Sequence, residues 1–536
     1  MTFGASLASR LVAFDRRGPQ DVRLHERRAV QWTVVLDNDG TIIRVLPHPK
    51  PPKGELPHLV LAPREAKARG NTVAPLLLTD NATYVLGLNK EGARKVNGAE
   101  KRAAYLTLLE QAASRHPDLA AALTGVQALT SDHIPGVQSS DLITFTIGGR
   151  NPHEHSEAQH AWITQQRGQD DLGNATDAVT GEASTLIANF PLLKGVPGGQ
   201  HSLAFQSRNA KTFQRYGLST LGVGASTAEA TARAMTALAS DPRTAHRVMG
   251  WDAILLHWLD HDAPDPWLAL SDPTQEDVRA QLQAQAAGTG DETATVNLAV
   301  VRGNGARLVV LDHAQMPLRD AARHAQTYLR RTDQLPLWQA ERALENTGGR
   351  VQTHLLPALH RHALLGDPLP GSVQRLLLTH WRKNLRLTRA QRALLALTLP
   401  EITVQDVSTI PEPLRLPYAM GRYAATAHQV HRRANPGVSM TITDRYLRLL
   451  TTSPARAYGQ MERTLQAVLR GVRRSKPHLH THLSAALAQA STDLTLPLPT
   501  TFTPEQQSAL ALGYEHETAR QIAEAQARKA EMKGAQ

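Results

Sequence analysis

The sequence has no cysteine among its 536 residues. Disulfides, thiolate zinc sites, iron–sulfur clusters and cysteine nucleophiles are therefore excluded. No apolar run approaches the ~20 residues that a membrane-spanning helix needs. The amino-terminal stretch MTFGASLASRLVAFDRRG also lacks the apolar core of a secretion signal. We therefore expect a cytoplasmic protein.

Acidic residues are also in short supply. Lys and Arg number 59 against 48 Asp and Glu, which gives a formal net charge of +11 and a pI of about 9.9. Soluble chains this basic commonly bind polyanions, although composition alone does not identify one. The chain is longer than one hydrophobic core normally serves, so we expect several domains.

Strand and helix patterns predict an α+β fold. The stretch AVQWTVVLDNDGTIIRVL predicts a hairpin turning at Asp37–Gly40, and TVNLAVVRGNGARLVVLD predicts another turning at Gly303–Gly305. We expect a strand-like run after a polar turn at Asp80 and Asn81, and a surface connection over 283–294. The predicted regions are an α+β region over 1–235, a middle region with a β-hairpin over 236–334, and an all-α helical bundle over 335–536.

The clearest predicted helix is SPARAYGQMERTLQAVLRGVRRSKP, with Ser453 as N-cap and Pro477 just past its end. One face is apolar, and the opposite face carries an arginine stripe: Arg456, Arg463, Arg470 and Arg474. Between positions 445 and 476, eight basic residues accompany one acid, Glu462. The stripe suits either a solvated helix face or a track for a nucleic-acid backbone.

A glycine-rich stretch beside basic residues, LLKGVPGGQHSLAFQSRNAKTFQRYG (192–217), suggests a phosphate contact. It is not a Walker A motif, because Gln200 and His201 stand where that motif needs glycine and lysine. A tight structural turn explains the spacing equally well. A nucleotide held by the 195–200 loop remains an alternative.

Histidine clusters give two weak metal candidates. His261 and Asp262 resemble part of an HD phosphohydrolase site, which needs further ligands from separate helices. His246, His257 and Asp260 lie nearby in the sequence. The stretch KPHLHTHL, with His478, His480 and His482, is expected to form a helix-linking loop. No complete catalytic set is found, so we expect no enzyme activity, no cofactor and no metal. A metal-dependent nuclease using the 257–262 cluster and a small-molecule enzyme remain alternatives.

Six stretches in order make the chain resemble the large subunit of the type I-C (Dvulg subtype) CRISPR Cascade complex, the CRISPR-associated Csd family. They are TVAPLLLTDNATYVLG, VTGEASTLIANFPLLKGVPGGQHSLAFQSRNAKTFQRYG, GNGARLVVLDH, LPALHRHALLGDPLPGSVQRLLLTHW, YAMGRYAATAHQVHRRANPGVSMTITDRYLRLLTTSPARAY and FTPEQQSALALGYEHE. They span nearly the whole chain.

The resemblance implies a non-catalytic subunit of an antiviral ribonucleoprotein. Such a subunit recognises the protospacer-adjacent motif (PAM) in double-stranded DNA, promotes opening and R-loop formation, and supports recruitment of a helicase–nuclease. Implied partners are crRNA, target DNA, the backbone subunits, the crRNA 5′-handle subunit, and a small subunit translated internally from near Met420, which would head the first bundle helix. The C-terminal bundle would resemble that small subunit and line the displaced strand, with the arginine stripe as its backbone track.

On this reading the phosphate beside the glycine loop belongs to DNA. The expected PAM contacts are Asn71, Asn81, Lys194, Gly195, Gly198, Gly199, Gln200, Arg208 and Lys211. Amide side chains suit base edges, whereas lysine and arginine hold phosphates without specifying sequence. Glycines would let the backbone approach a groove closely.

Overall fold

A computed structural model of the chain describes residues 3–16, 25–49, 57–63, 73–89, 97–155, 171–187, 190–205, 222–248, 250–261, 265–288, 294–402 and 407–534. The chain divides into two compact units. The first unit comprises Met1–Asp260 and Leu298–Ala314, and the second comprises His261–Asn297 and Gln315–Gln536. The three regions predicted from the sequence, 1–235, 236–334 and 335–536, assign functions to parts of the chain, and that assignment stays a prediction.

Within the described residues, the sheets lie in the first unit, apart from the ends of the last strand. The strands are β1 (His25–Ala29), β2 (Trp32–Leu36), β3 (Ile42–Pro47), β4 (Leu59–Pro63), β5 (Thr79–Asn81), β6 (Leu142–Ile147), β7 (Asp171–Thr176), β8 (Ala183–Ile187), β9 (Leu192–Leu193), β10 (Gly199–Ala204), β11 (Ala245–His246), β12 (Ala253–Leu259) and β13 (Thr295–Pro317). The first unit's helices are α1 (Phe3–Asp15), α2 (Ala82–Val85), α3 (Gly98–Arg115), α4 (Ala120–Ala128) and α5 (Ala225–Ser240).

A four-stranded sheet with the order β3-β2-β6-β5 forms the first core. Strands β2 and β3 pair antiparallel, and the predicted hairpin is confirmed, with Gly40 at φ +91° in the turn. The amide of Thr41 donates to the Asp37 carboxylate (2.9 Å), which closes that turn. Val34 and Phe145 of the sheet share one buried core with Leu109 of α3.

A five-stranded sheet with the order β11-β12-β13-β10-β9 forms the second core. Met235 of α5 and Leu11 of α1 pack in the same buried cluster as Ile254 of β12. The segment β13 folds back on itself, as the predicted hairpin requires. The Leu318 amide donates to the Ala294 carbonyl (2.8 Å), so the residues that flank the two ends of β13 are adjacent. Strands β1 and β4 form one separate pair, and β7 and β8 form another.

Among its described residues, the second unit is helical apart from the ends of β13 and an isolated antiparallel bridge between Glu345 and Val351, as the patterns after position 335 predict. Its helices are α6 (Pro266–Ser271), α7 (Glu276–Ala286), α8 (Leu318–Arg331), α9 (Leu337–Ala343), α10 (Leu356–Leu365), α11 (Gly371–Asn384), α12 (Arg389–Leu397), α13 (Glu412–Ala434), α14 (Ile442–Thr452), α15 (Pro454–Ser475), α16 (Pro477–Ser491) and α17 (Pro504–Gly534). The α+β prediction is therefore confirmed. No described helix combines the length and apolar composition needed to cross a membrane.

Helices α13 and α17 approach each other closely at two glycines. A Cβ on Gly421 would collide with the Leu510 carbonyl oxygen, and one on Gly513 would collide with the Tyr418 carbonyl oxygen. Met420, next to Gly421, is fully buried. These glycines allow the two helix backbones to touch, so residues 418–421 belong to the tightest part of this contact.

Four sequence predictions are wrong in detail. The run after Asn81 begins with the short helix α2 rather than a strand. Residues 283–286 of the predicted connection belong to α7. The stretch with His478, His480 and His482 lies in α16, because Pro477 occupies the first helical turn, where its missing amide costs nothing. Met420 does not head its helix, because α13 begins at Glu412.

Candidate nucleic-acid interface

The glycine loop, defined here as residues 194–199, connects the antiparallel strands β9 and β10. The Lys194 amide donates to the Thr236 hydroxyl (3.4 Å) on α5. Gly195 has φ +84°, a conformation that favours glycine. Its carbonyl accepts from the Arg247 guanidinium at 2.5 Å. The loop is thus held at its first turn by side chains from its own unit.

The far end of the loop packs against the tip of the β13 hairpin. The Gly303 amide donates to the Pro197 carbonyl (2.6 Å). Gly199 pairs with Gly305 in the parallel β10–β13 contact. A Cβ on Gly199 would lie 2.8 Å from the Gly305 oxygen and 2.9 Å from the Gly303 Cα. We call this backbone contact, formed by residues 197–199 and 303–305, the glycine seam.

Gly198 completes the seam. It has φ +85°, and a Cβ there would collide with the carbonyl oxygen of Asp252, the residue just before β12. Gly195, Gly198 and Gly199 nevertheless remain exposed on their outer side. The glycines therefore serve two purposes at once: they allow close packing inward and leave bare backbone accessible outward.

Basic and amide side chains surround the seam. Asn304 and Arg307 at the hairpin tip are exposed, and so is Arg247. Arg302 is engaged by Asp252 at 3.0 Å. Within the described part of the chain, Arg307 forms no ion pair, so its guanidinium is available to a phosphate. Asn304 offers a donor and an acceptor, the combination that suits a base edge.

The other predicted PAM residues are distributed differently. Asn81 ends β5 in the four-stranded sheet, where it pairs with Leu142 and belongs to the first core rather than the seam's sheet. Its amide oxygen is buried and has no hydrogen-bond partner among the described residues. Gln200 lies in β10, but its side chain lies outside what the structure describes, as do Asn71, Arg208 and Lys211 entirely.

The predicted helix around the arginine stripe is confirmed as α15, with Ser453 in the N-cap position. Leu465, Leu469 and Val472 are buried. The stripe residues are all exposed, and none forms an ion pair with a described residue: Arg456, Arg463, Arg470 and Arg474. Burial raises the pKa of the Glu462 carboxyl, the one acid in this stretch. The stripe is therefore a row of exposed positive charges with no ion-pair partner among the described residues.

The rival metal candidates gain little from the geometry. His257 and Asp260 are buried, and Asp260 lies 3.5 Å from the Arg10 guanidinium. Across the described residues, no group of three potential metal ligands includes His257, Asp260 or His261. Asp262 lies outside the described residues. His478 and His482 are exposed on one side of α16. Because of the helical periodicity, His480 lies on a different side of the helix from these two histidines.

Sequence reasoning missed Asn304, Arg307 and Arg247 as candidate contacts. The signal for the first two was present, because a Gly-Asn-Gly turn followed by arginine stands at a predicted hairpin tip. What the sequence could not show was that this tip pairs with a loop about a hundred residues earlier in the chain. The pairing places an amide and a guanidinium beside bare glycine backbone.

The chain was compared with models of known protein families. A family model described as CRISPR-associated protein (Cas_Csd1) matches residues 17–521. Both the glycine seam and the arginine stripe lie inside the matched range. No curated protein matches the chain.

Proposed function

Because the chain belongs to the CRISPR-associated Csd1 protein family, we propose that it is the non-catalytic large subunit of a type I-C Cascade complex. It recognises the PAM in double-stranded DNA and promotes duplex opening and crRNA-guided R-loop formation. Its partners are crRNA, the backbone subunits and the 5′-handle subunit, and it supports recruitment of a helicase–nuclease. The family match over residues 17–521 is the observation that carries this proposal.

The glycine seam is the proposed PAM-contacting surface. Short contacts within the first unit fix the backbone of the seam. The exposed side chains at its edge are therefore attached to a backbone of defined position. Asn304 and Gln200 are the proposed base contacts at the seam. Asn71 and Asn81, which are not seam residues, stay base contacts proposed from the sequence. Arg307 and Lys194, with Arg208 and Lys211, are the proposed phosphate contacts. Sequence recognition and phosphate binding are thus assigned to different residues.

Two variants at the hairpin tip test this assignment. Asn304→Ala should reduce the preference for a correct over a scrambled PAM by about tenfold, since one good amide–base contact discriminates by ~1–3 kcal/mol. Arg307→Ala should weaken binding to both targets to the same extent, because a phosphate contact carries no sequence information. The measurement is the affinity of the assembled complex for guide-matched duplexes carrying each PAM.

Arg243→Ala is the matched control, because Arg243 is an exposed arginine of the same unit (83% exposed side chain) that pairs locally with Asp241. It should leave both affinities unchanged. If Asn304→Ala and Arg307→Ala both assemble normally and bind like this control, the seam is not the PAM-contacting surface.

The C-terminal bundle is the proposed lining of the displaced strand. The arginine stripe supplies exposed positive charge that no described acid pairs with, which is what a sequence-neutral contact to single-stranded DNA requires. The same segment is the proposed source of a separately translated small subunit.

The position of Met420 bears on where that small subunit starts. A start at Met420 would remove the first part of α13, from Glu412 onward, and place a charged amino group at a fully buried position. We therefore expect the short product to begin upstream of Glu412; Val407, which a GTG codon can encode, is the nearest candidate.

Expression of the intact gene with a C-terminal tag tests the start site. The mass of the short tagged product should include all of α13, and Met420→Leu should leave its yield unchanged. A product that starts at Met420 would refute the upstream start, and absence of any short product would refute internal translation.

A further inference from the structure

A cavity of about 270 Å³ opens in the second unit. Its walls come from α13, α14, α17 and the turn between α11 and α12, where Leu385 adopts a left-handed backbone conformation (φ +54°). The cavity is separate from the arginine stripe, whose residues do not line it. Its lining combines charged, amide and apolar groups.

Two guanidinium groups give the cavity a positive balance. Arg386 and Arg432 line it, both are exposed, and neither guanidinium forms a hydrogen bond or ion pair with any residue the structure describes. The lining carboxylate, Asp444, is already engaged: the Thr441 amide and hydroxyl donate to it at 2.7 and 2.6 Å. The cavity lining therefore carries two positive charges and one negative charge. The negative charge, on Asp444, already accepts hydrogen bonds from Thr441 at the start of α14.

The remaining titratable lining groups add no negative charge. Burial lowers the pKa of His428, and the neighbouring Arg432 and Arg386 act in the same direction, so this imidazole is neutral at neutral pH. Its Nδ1 lies 2.6 Å from the Thr443 hydroxyl. Burial likewise raises the pKa of Tyr514, which keeps the phenol neutral.

A buried acceptor points to more than a bare anion. The Gln521 amide nitrogen donates to the Glu517 carboxylate at 2.8 Å, which fixes the orientation of the amide. Its oxygen is left buried with no hydrogen-bond partner among the described residues. Such an acceptor can be satisfied by an N–H donor of a ligand as well as by water. Ala425 and Ile522 provide apolar surface beside it.

We propose that this cavity binds one nucleotide of single-stranded DNA. Arg386 and Arg432 hold its phosphate, and the base lies against the apolar wall with an N–H toward Gln521. An unpaired nucleotide presents this combination of anion, flat apolar ring and N–H donors, which a free phosphate lacks. The inference rests on the proposed contact between the bundle and the displaced strand, and it adds a discrete site to that track.

The site needs the full-length chain. Arg386 precedes α13, so a small subunit beginning between Val407 and Met420 would lack it. The large subunit and the internally translated product would then hold single-stranded DNA differently: both carry the stripe, but only the former carries the complete cavity.

The test uses the full chain and a fluorescent single-stranded oligodeoxynucleotide of mixed sequence. Arg386→Ala/Arg432→Ala should lower the magnitude of the log affinity–log salt slope by about 0.7, the contribution of one single-strand phosphate. Arg433→Ala, an exposed neighbour outside the cavity lining, is the matched control and should leave the slope unchanged.

Photocrosslinking separates nucleotide binding from a charge effect. An oligonucleotide containing 4-thiothymidine should crosslink to peptides that include 425–432 or 514–522, and the double variant should lose this crosslink while Arg433→Ala retains it. Competition by inorganic phosphate alone, with no such crosslink, would mean that the cavity holds an anion and would overturn the proposal.

The outcome is distinguishable from failure of the proposed function. If stripe variants weaken single-strand binding while the cavity variants behave like Arg433→Ala, only the cavity inference fails. If neither set of variants alters binding, the proposed contact between the bundle and the displaced strand fails as well.

Discussion

Gly199→Val is expected to destabilise the first unit by roughly 3 kcal/mol or more, the upper range for overpacking of a tightly packed site. A Cβ at this position would lie 2.7 Å from Leu203 Cδ2, 2.8 Å from the Gly305 oxygen and 2.9 Å from the Gly303 Cα. Two of these neighbours are backbone atoms of the facing hairpin, which cannot rotate away. Relief therefore requires the glycine seam to separate.

Chemical denaturation and the yield of soluble protein measure this effect. Gly437→Val is the matched control, because no heavy atom lies within 4 Å of a Cβ built at Gly437. Its stability should stay within about 0.5 kcal/mol of the wild type, as for most surface substitutions. Equal unfolding midpoints for Gly199→Val and the wild type would contradict the tight seam.

This expectation changes how a loss of DNA binding in glycine variants should be interpreted. If Gly199→Val unfolds the loop, its failure to bind DNA says nothing about which group contacts a base. Substitutions at Asn304 and Arg307 are more informative, because both side chains are exposed and their removal leaves the seam intact. The glycines support the surface, and the neighbouring side chains are the proposed contacts.

Local chemistry allowed much of the fold to be predicted from the sequence. The hairpin at Asp37–Gly40 follows from turn residues between β-branched runs, and α15 follows from a regular apolar face bounded by Ser453 and Pro477. The helical character of the chain after position 335 follows from the same periodicity. Signals of this kind depend only on neighbouring residues.

The errors arise where local signals are ambiguous. Pro477 can end one helix or start the next, and here it does the latter, so the three histidines of KPHLHTHL lie on α16. A short apolar run such as that after Asn81 suits a strand or a buried helical turn equally well, and packing selects the helix. Met420 marks a possible start codon but not a helix boundary.

The candidate sites depend on contacts that no local pattern contains. The seam requires β10 to pair with β13, and the cavity requires the turn after α11 to meet three bundle helices. Asn304, Arg386 and Gln521 each look like ordinary polar surface residues in the sequence. Only their placement beside glycine backbone, a second guanidinium or a buried gap gives them a candidate function.

The second large effect is expected from the arginine stripe. Replacing Arg456, Arg463, Arg470 and Arg474 together by alanine should flatten the salt dependence of single-stranded DNA binding. Each single-strand phosphate contact contributes about 0.7 to the log–log slope, so four lost contacts lower it by up to about 3. The helix should remain folded, because all four side chains are exposed and its packing face is untouched.

Net charge is the competing explanation, and a second quadruple variant separates the two. Arg319, Arg350, Arg375 and Arg433 are also exposed arginines of the second unit, and they lie on other elements. Their replacement by alanine removes the same charge but should change the slope much less, because these arginines do not form a row along one helix face that a strand could contact. Equal slopes for the two quadruple variants would return the stripe to an ordinary solvated helix face. A selective loss in the stripe variant, equal for oligonucleotides of different sequence, would identify α15 as a backbone track.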